Sequence, residues 1–101
     1  MSATINRNDA ESRYEIRESG ELAGIIDYRE TDGVRDLFHT EVFEGFTGRG
    51  VAAELVAGAL IDLRESGIEL IPTCPYIQSC LRKNPGDLEL VPTDRRGDYD
   101  L

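Results

Sequence analysis

HTEVFEGFTGRGVAAELVAGAL, residues 39–60, is the stretch whose reading decides the fold. A strand-like run ends at Val42 and Phe43, passes through Glu44-Gly45-Phe46-Thr47-Gly48-Arg49-Gly50, and opens into an amphipathic helix. The first N–H groups of a helix lack internal partners, and the helix dipole adds partial positive charge at that end. A glycine-rich turn feeding a helix is therefore a place where backbone donors can gather around an anion. Gly48 and Gly50 have no side chain to hold a phosphate off the backbone, and Arg49 between them offers a charged hydrogen bond. The competing reading is an ordinary tight turn, and the loop alone does not separate the two.

The helix that follows is the best-defined element. Ala52, Leu55, Val56, Ala59, Leu60 and Leu63 recur at i, i+3, i+4, i+7, i+8 and i+11 as one apolar stripe, while Glu54, Asp62 and Arg64 fall away from it. Gly67 is placed to stop it. Ile68–Pro72 (IELIP) then reads as a short strand. Reached through a helical crossover, it pairs parallel to the strand before the helix, giving a β–α–β unit.

Upstream, Tyr14 and Ile16 alternate with Arg13, Glu15 and Arg17 as a strand, and Ser19-Gly20 turns into a second strand at 22–28. Thr31-Asp32-Gly33 is a second hairpin turn leading into Val34–Phe43. The expectation is an antiparallel three-strand meander followed by the β–α–β unit. In the third strand, alternation puts Val34, Asp36, Phe38, Thr40 and Val42 on one face. It puts Arg35, Leu37, His39, Glu41 and Phe43 on the other. Downstream, Pro75 suits a first helical position, and Ile77, Cys80 and Leu81 have helical spacing, so Pro75–Lys83 reads as a short second helix with Cys74 at its N-cap. Asn84-Pro85-Gly86 stops it, and Leu88–Val91 (LELV) reads as a last short strand. Residues 1–12 are expected to be a loose N-terminus, 13–91 the folded domain, and 92–101 a polar tail with little to bury.

At 101 residues the chain has room for one core. Its net charge of −9 disfavours nonspecific binding to nucleic acid or to an anionic membrane, and is read as a device for solubility. No apolar run approaches the roughly 20 residues of a membrane span, and MSATINRNDAES has no signal-peptide core, so a cytoplasmic location is expected. Two cysteines and one histidine make neither a disulfide framework nor a metal site, and both thiols are expected to be free.

Cys74, between a strand and a helix N-terminus, sits where the dipole favours a thiolate. His39 is the single imidazole and so the single candidate for a Cys–His pair, with Glu41 on the same strand face to orient it. Parallel pairing brings these residues and the glycine turn to one sheet edge, at the open strand ends where ligands bind. Cys80 reads as core.

Taken together, H-T-E-V (39–42), G-R-G-V-A (48–52), R-E-S-G (64–67) and P-T-C-P-Y (72–76) resemble the small single-domain members of the GCN5-related N-acetyltransferases, over about residues 13–91. The resemblance implies a compact α/β (α+β) fold and an acetyl-CoA cosubstrate without a metal. It implies acetyl transfer to an amine, either a small molecule or a protein lysine or N-terminus. Gly48 and Gly50 match the two small positions of the superfamily's pyrophosphate loop, whereas Gly45 stands where Arg or Gln is usual. By the same resemblance, the cofactor residues are Val42, Phe43, Phe46, Thr47, Gly48, Arg49, Gly50 and Val51, with the pyrophosphate on the N–H groups of 46–51 and the thioester toward Cys74. The catalytic residues carried over are Cys74 and His39, with Glu41 beside them. Two routes stay open. An amine deprotonated by Glu41 or His39 attacks the thioester while Cys74 protonates the leaving thiolate, or Cys74, activated by His39, is acetylated first. A reading from another class is a CoA-binding or protein-interaction module with little catalysis.

Overall fold

The computed structural model describes residues 3–101. Five strands form one sheet in the order β1 (Ala3–Asn8), β2 (Arg13–Glu18), β3 (Glu21–Thr31), β4 (Val34–Val42) and β5 (Glu69–Ile71). The first four pair antiparallel and β5 pairs parallel to β4 through Val34–Asp36 and Glu69–Ile71. The crossover helix is α1 (Val51–Ser66), and α2 (Pro75–Lys83) follows β5. The meander, the β–α–β unit and the second helix with Cys74 as its N-cap stand as the sequence leads one to expect. The β2–β3 and β3–β4 hairpins each turn through two residues of positive φ, Ser19-Gly20 and Asp32-Gly33, whose twist suits the flanking strands.

α1 buries Val51, Leu55, Val56, Ala59, Leu60 and Leu63 against Tyr14, Ile16, Ala23, Ile26, Tyr28 and Leu37 of the sheet. Each large aliphatic side chain so removed from water contributes about 1.5–3 kcal/mol. Ile77 and Leu81 of α2 and Leu90 and Val91 close the same core. Gly67 ends α1 in a left-handed cap, its N–H donating to the Arg64 carbonyl at 3.4 Å.

Three expectations are corrected. Residues 3–8 are an ordered edge strand rather than a loose arm; the expectation for Met1 and Ser2 lies outside the described residues. β1 is held by tertiary contacts that its polar sequence does not announce. Arg7 Nη1 donates to Asp62 Oδ2 at 2.8 Å, Asn8 Nδ2 to Glu15 Oε2 at 3.0 Å, and Ile5 packs onto α1 at Gly58. Leu88–Val91 is not a strand. The Asn84-Pro85-Gly86 stop leads straight into tight 3₁₀ turns over Pro85–Leu90, which deliver Leu90 and Val91 to the core without a ladder. Residues 92–101 are not a free tail. Thr93–Tyr99 forms another 3₁₀ segment, pinned by Arg96 Nε to the Val91 carbonyl at 3.1 Å and by Arg82 Nη2 to the Tyr99 carbonyl at 2.9 Å, and Leu101 packs against the core.

A fourth correction concerns β4. Tyr28 pairs with Leu37 while Asp27 pairs with His39, so Phe38 is an extra residue, a β-bulge that reverses the facing of everything after it. Arg35 and Leu37 face the helices, and beyond the bulge Thr40 and Val42 take over that side. His39 and Glu41 stay together, but on the opposite face.

At the sheet end away from the glycine loop, Arg35 is buried between rings, its guanidinium 4.7 Å from the Tyr28 centroid, and donates to Tyr14 Oη at 2.7 Å and Asp62 Oδ2 at 3.2 Å. Burial alone would raise the Asp62 carboxyl. Hydrogen bonds from Tyr14 and Arg7, with the fields of Arg7 and Arg35, more than offset it and hold the group below the usual carboxylate range. A folded-state value depressed in this way contributes stability that is present above about pH 4 and lost as pH falls through the folded value. Acid unfolding followed by circular dichroism should therefore be shallower in Asp62→Asn, which starts less stable at neutral pH. A parallel acid limb would mean the carboxylate is not held this way.

Gly58 provides a test of β1 docking. A Cβ there would meet Ile5 Cδ1 at 2.7 Å and Cγ2 at 2.9 Å. Gly58→Ala should lower stability by about 1–3 kcal/mol through overpacking. In an Ile5→Ala background the same change should instead stabilise by about 0.5–1 kcal/mol through helix propensity. Thermal melts of the four proteins read the reversal.

Candidate functional site

β4 and β5 part company after three paired residues. β5 ends at Ile71, Pro72 has no N–H to offer, and beyond the ladder the Cys74 N–H still donates across the joint to the Leu37 carbonyl at 3.0 Å. β4 runs on to Val42 paired with β3 but no longer with β5, so β4 and β5 open a gap whose far wall is the start of α2. There the Cys74 carbonyl accepts the Gln78 N–H at 3.1 Å, and Gln78 Nε2 donates to the Pro72 carbonyl at 2.9 Å, fixing the first turn.

The glycine loop closes the top of this gap. Phe43 N–H donates to the Ala23 carbonyl at 2.9 Å, and Phe46 N–H to the Phe43 carbonyl at 3.1 Å. Gly48 and Gly50 have φ of 79° and 73°, a region that side-chain-bearing residues rarely adopt. Gly50 is the N-cap of α1 and no side chain caps the helix. Its carbonyl accepts the first helical bond, from Glu54 N–H at 3.1 Å, which leaves the N–H groups of Val51, Ala52 and Ala53 ahead of the ladder. A Cβ at Gly48 or Gly50 would meet nothing within 4 Å, so the backbone is open to a ligand.

A cleft of about 170 Å³ lies on this backbone, lined by Val42, Phe46, Thr47, Gly48, Gly50 and Val51, with Ala52, Ala53 and Tyr76. Six of the eight cofactor residues expected from the sequence are gathered there, and Phe43 and Arg49 are not among its walls. Arg49 turns to the other side of the loop, where Nη1 donates to Glu18 Oε2 at 3.4 Å and the guanidinium lies 5.7 Å from the Phe46 ring centroid. Tyr76 was missed as a site residue, although it stands in the quoted P-T-C-P-Y run. Burial, then the neighbouring Cys80 thiol, pushes its phenol up, so it keeps its proton at neutral pH.

The expected Cys74–His39 pair does not form. Cys74 is 5 % exposed and its Sγ lies 3.3 Å from Thr40 Oγ1, on the helix side of the sheet. His39 and Glu41 face the opposite side, about half exposed, with Nε2 3.3 Å from Oε1. The Phe38 bulge is the reason: it exchanges His39 for Thr40 on the inner face. Among the described residues, no group of three or more His, Cys, Asp or Glu side chains could hold a metal ion.

The family model for the GCN5-related N-acetyl-transferases matches residues 13–90. The chain belongs to the GCN5-related N-acetyltransferases. Among named relatives, Protein NATD1 of Homo sapiens is 42% identical over 50 residues, 50% of this chain and 44% of its own. NATD1 of Xenopus tropicalis is likewise 42% identical over 50 residues, 50% of this chain and 46% of its own. The chain thus covers less than half the length of these relatives. In architecture this acetyltransferase family member is similar to the NMR solution structure of a GCN5-like protein from Staphylococcus aureus. The TM-score is 0.66 at 22% identity, over 88% of this chain and 87% of that one. Crystalline Ard1 from Thermoplasma volcanium gives 0.50 at 23% identity, over 58% of this chain and 40% of that one. At such identities these two speak for the fold alone.

Thiol chemistry checks the placement of the two cysteines. Cys80 is half-buried and Cys74 buried, so a thiol-specific reagent should modify Cys80 first, with Cys74 about tenfold slower or more. Peptide mass analysis over time reads the order, and equal rates would contradict the burial of Cys74.

Proposed function

We propose that the protein transfers acetyl from acetyl-CoA to an amine, with the cofactor in the cleft between the glycine loop, the start of α1 and Tyr76. The observation that carries this reading is the uncapped, glycine-lined N-terminus of α1 opening into that cleft. Acetyl-CoA supplies an activated thioester. The Phe46 N–H is taken by the Phe43 carbonyl, so the N–H groups of residues 47–51 and the α1 dipole receive its diphosphate, a task that backbone donors perform without a cationic side chain. This suits a loop with Gly45 where a basic or amide side chain is usual in the family.

The gap between β4 and β5 lets two faces of the sheet meet. The acceptor amine approaches from the face of His39 and Glu41, and their paired side chains accept the proton that an ammonium must lose before its nitrogen can attack a carbonyl carbon. On the cleft side, Tyr76 carries a phenolic proton that it can give to the departing sulfur, and it recovers one from the second proton that the nitrogen sheds after attack, so the transfer ends with one proton on the CoA thiol and one on the His39–Glu41 pair. Cys74 packs on Thr40, while His39, the base expected beside it, faces the other side of the sheet. That arrangement favours direct attack over an acetyl-Cys74 intermediate, which needs His39 within reach of the thiol.

Thermal melts with acetyl-CoA, CoA and ATP test the site first. A ligand at a hundredfold its dissociation constant stabilises by about 2.7 kcal/mol, roughly ten degrees for a domain of this size. A shift with acetyl-CoA and CoA but not with ATP is expected, and no shift at millimolar acetyl-CoA would remove the cofactor reading. On a panel of amines, Cys74→Ala should keep most of its turnover and Tyr76→Phe lose most of it. Abolished transfer in Cys74→Ala would instead favour the covalent route.

A further inference from the structure

The glycine loop carries one cationic side chain, and it is turned away from the cleft. We propose that Glu18 and Arg49 form a tether that sets the loop's shape for anion binding, Arg49 acting as a positioning residue through its own backbone rather than by touching the ligand. The proposal rests on the cleft being the CoA site and adds what holds that site in form.

Glu18 is the last residue of β2 and its side chain is only 5 % exposed. It lies in a cavity of about 440 Å³ on the side of the loop away from Tyr76, with Glu21 and Glu44 also in the walls and Arg49 the cation among them. A buried carboxylate beside two others is costly unless a cation answers it. Arg49 Nη1 does so at 3.4 Å, and the guanidinium also rests on Phe46, which packs against the core. Arg49 is flanked by two left-handed glycines whose surroundings are empty within 4 Å of a would-be Cβ. The run Gly48-Arg49-Gly50 therefore has little packing of its own, and among the described residues its side-chain anchor is the contact of Arg49 with Glu18 and Phe46. The direction in which the N–H groups of Thr47 to Val51 point depends on that anchor.

The experiment measures CoA binding by calorimetry for Glu18→Gln, Arg49→Met, the double variant and Arg49→Lys. Amide hydrogen exchange without ligand is followed alongside. Each single change should weaken CoA about fivefold, the size of a half-exposed ion pair. The double variant should be no weaker than either single one, as befits one shared contact, and Arg49→Lys should recover most of the affinity. Exchange at Thr47–Val51 should quicken in both single variants while the amides of Leu55–Leu63 stay unchanged, which separates loop positioning from general destabilisation. If Glu18→Gln leaves CoA binding unchanged or tightens it while Arg49→Met weakens it, Arg49 reaches the anion itself and the tether is overturned. Unchanged affinity and exchange in both single variants overturn it too. Should the wild-type protein fail to bind CoA, the cofactor reading falls by itself, and the exchange data alone decide the tether: quickened exchange supports it, unchanged exchange rejects it.

Discussion

The short parallel joint between Val34–Asp36 and Glu69–Ile71 is the constraint on which the rest of the molecule depends. Parallel strands need a crossover, and α1 is that crossover, so the joint fixes where the helix begins and ends. Its brevity matters as much as its existence. A longer pairing would close β4 along its whole length; three residues hold the sheet together and then release it, leaving the end of β4 beside the first turn of α2. Proline at position 72 enforces the release, since the chain there has no N–H with which to extend the ladder.

Much of this could be read from the chain because the signals were local. The stripe from Leu55 to Leu63, the stop at Gly67, Pro75 at a helix start and Asp32-Gly33 at a hairpin are each decided by residues within a few positions of one another. Six of the eight residues expected around the cofactor line the cleft for the same reason, being one continuous loop and helix start. What could not be read arises between distant segments. Residues 3–8 look like a loose arm until Asp62, Glu15 and Gly58 are set beside Arg7, Asn8 and Ile5. Leu88–Val91 has the composition of a strand, but its neighbours are helices and its backbone bonds close on itself.

The candidate site was half legible, and Phe38 explains the half that was not. Period-two alternation correctly keeps His39 with Glu41 and Thr40 with Val42. It fails across one bulged residue, and that single slip exchanges the imagined partner of Cys74 for Thr40. Nothing in the composition of D-L-F-H-T marks the bulge, because its cause is the fit of β4 to β3. The same slip lets one strand serve two compartments: Thr40 faces a buried thiol while the adjacent His39 faces water. Arg49 is a related case. Its position in the loop was plain, but its direction is set by Glu18, thirty-one residues away.

The ring-lined arginine at the far end of the sheet carries a mechanical consequence. Arg35, Tyr14, Tyr28, Asp62 and Arg7 bind four strands and the C-terminal half of α1 into one block. The N-terminal half of α1, by contrast, starts from an uncapped glycine and an open loop. Val51, Leu55 and Val56 nonetheless seat that half in the core, so the loosely packed part is the glycine loop ahead of the helix. Movement of that loop gives up few packed contacts and need not propagate to the block, so it can adjust around a ligand as a local event while the remainder of the molecule stays folded.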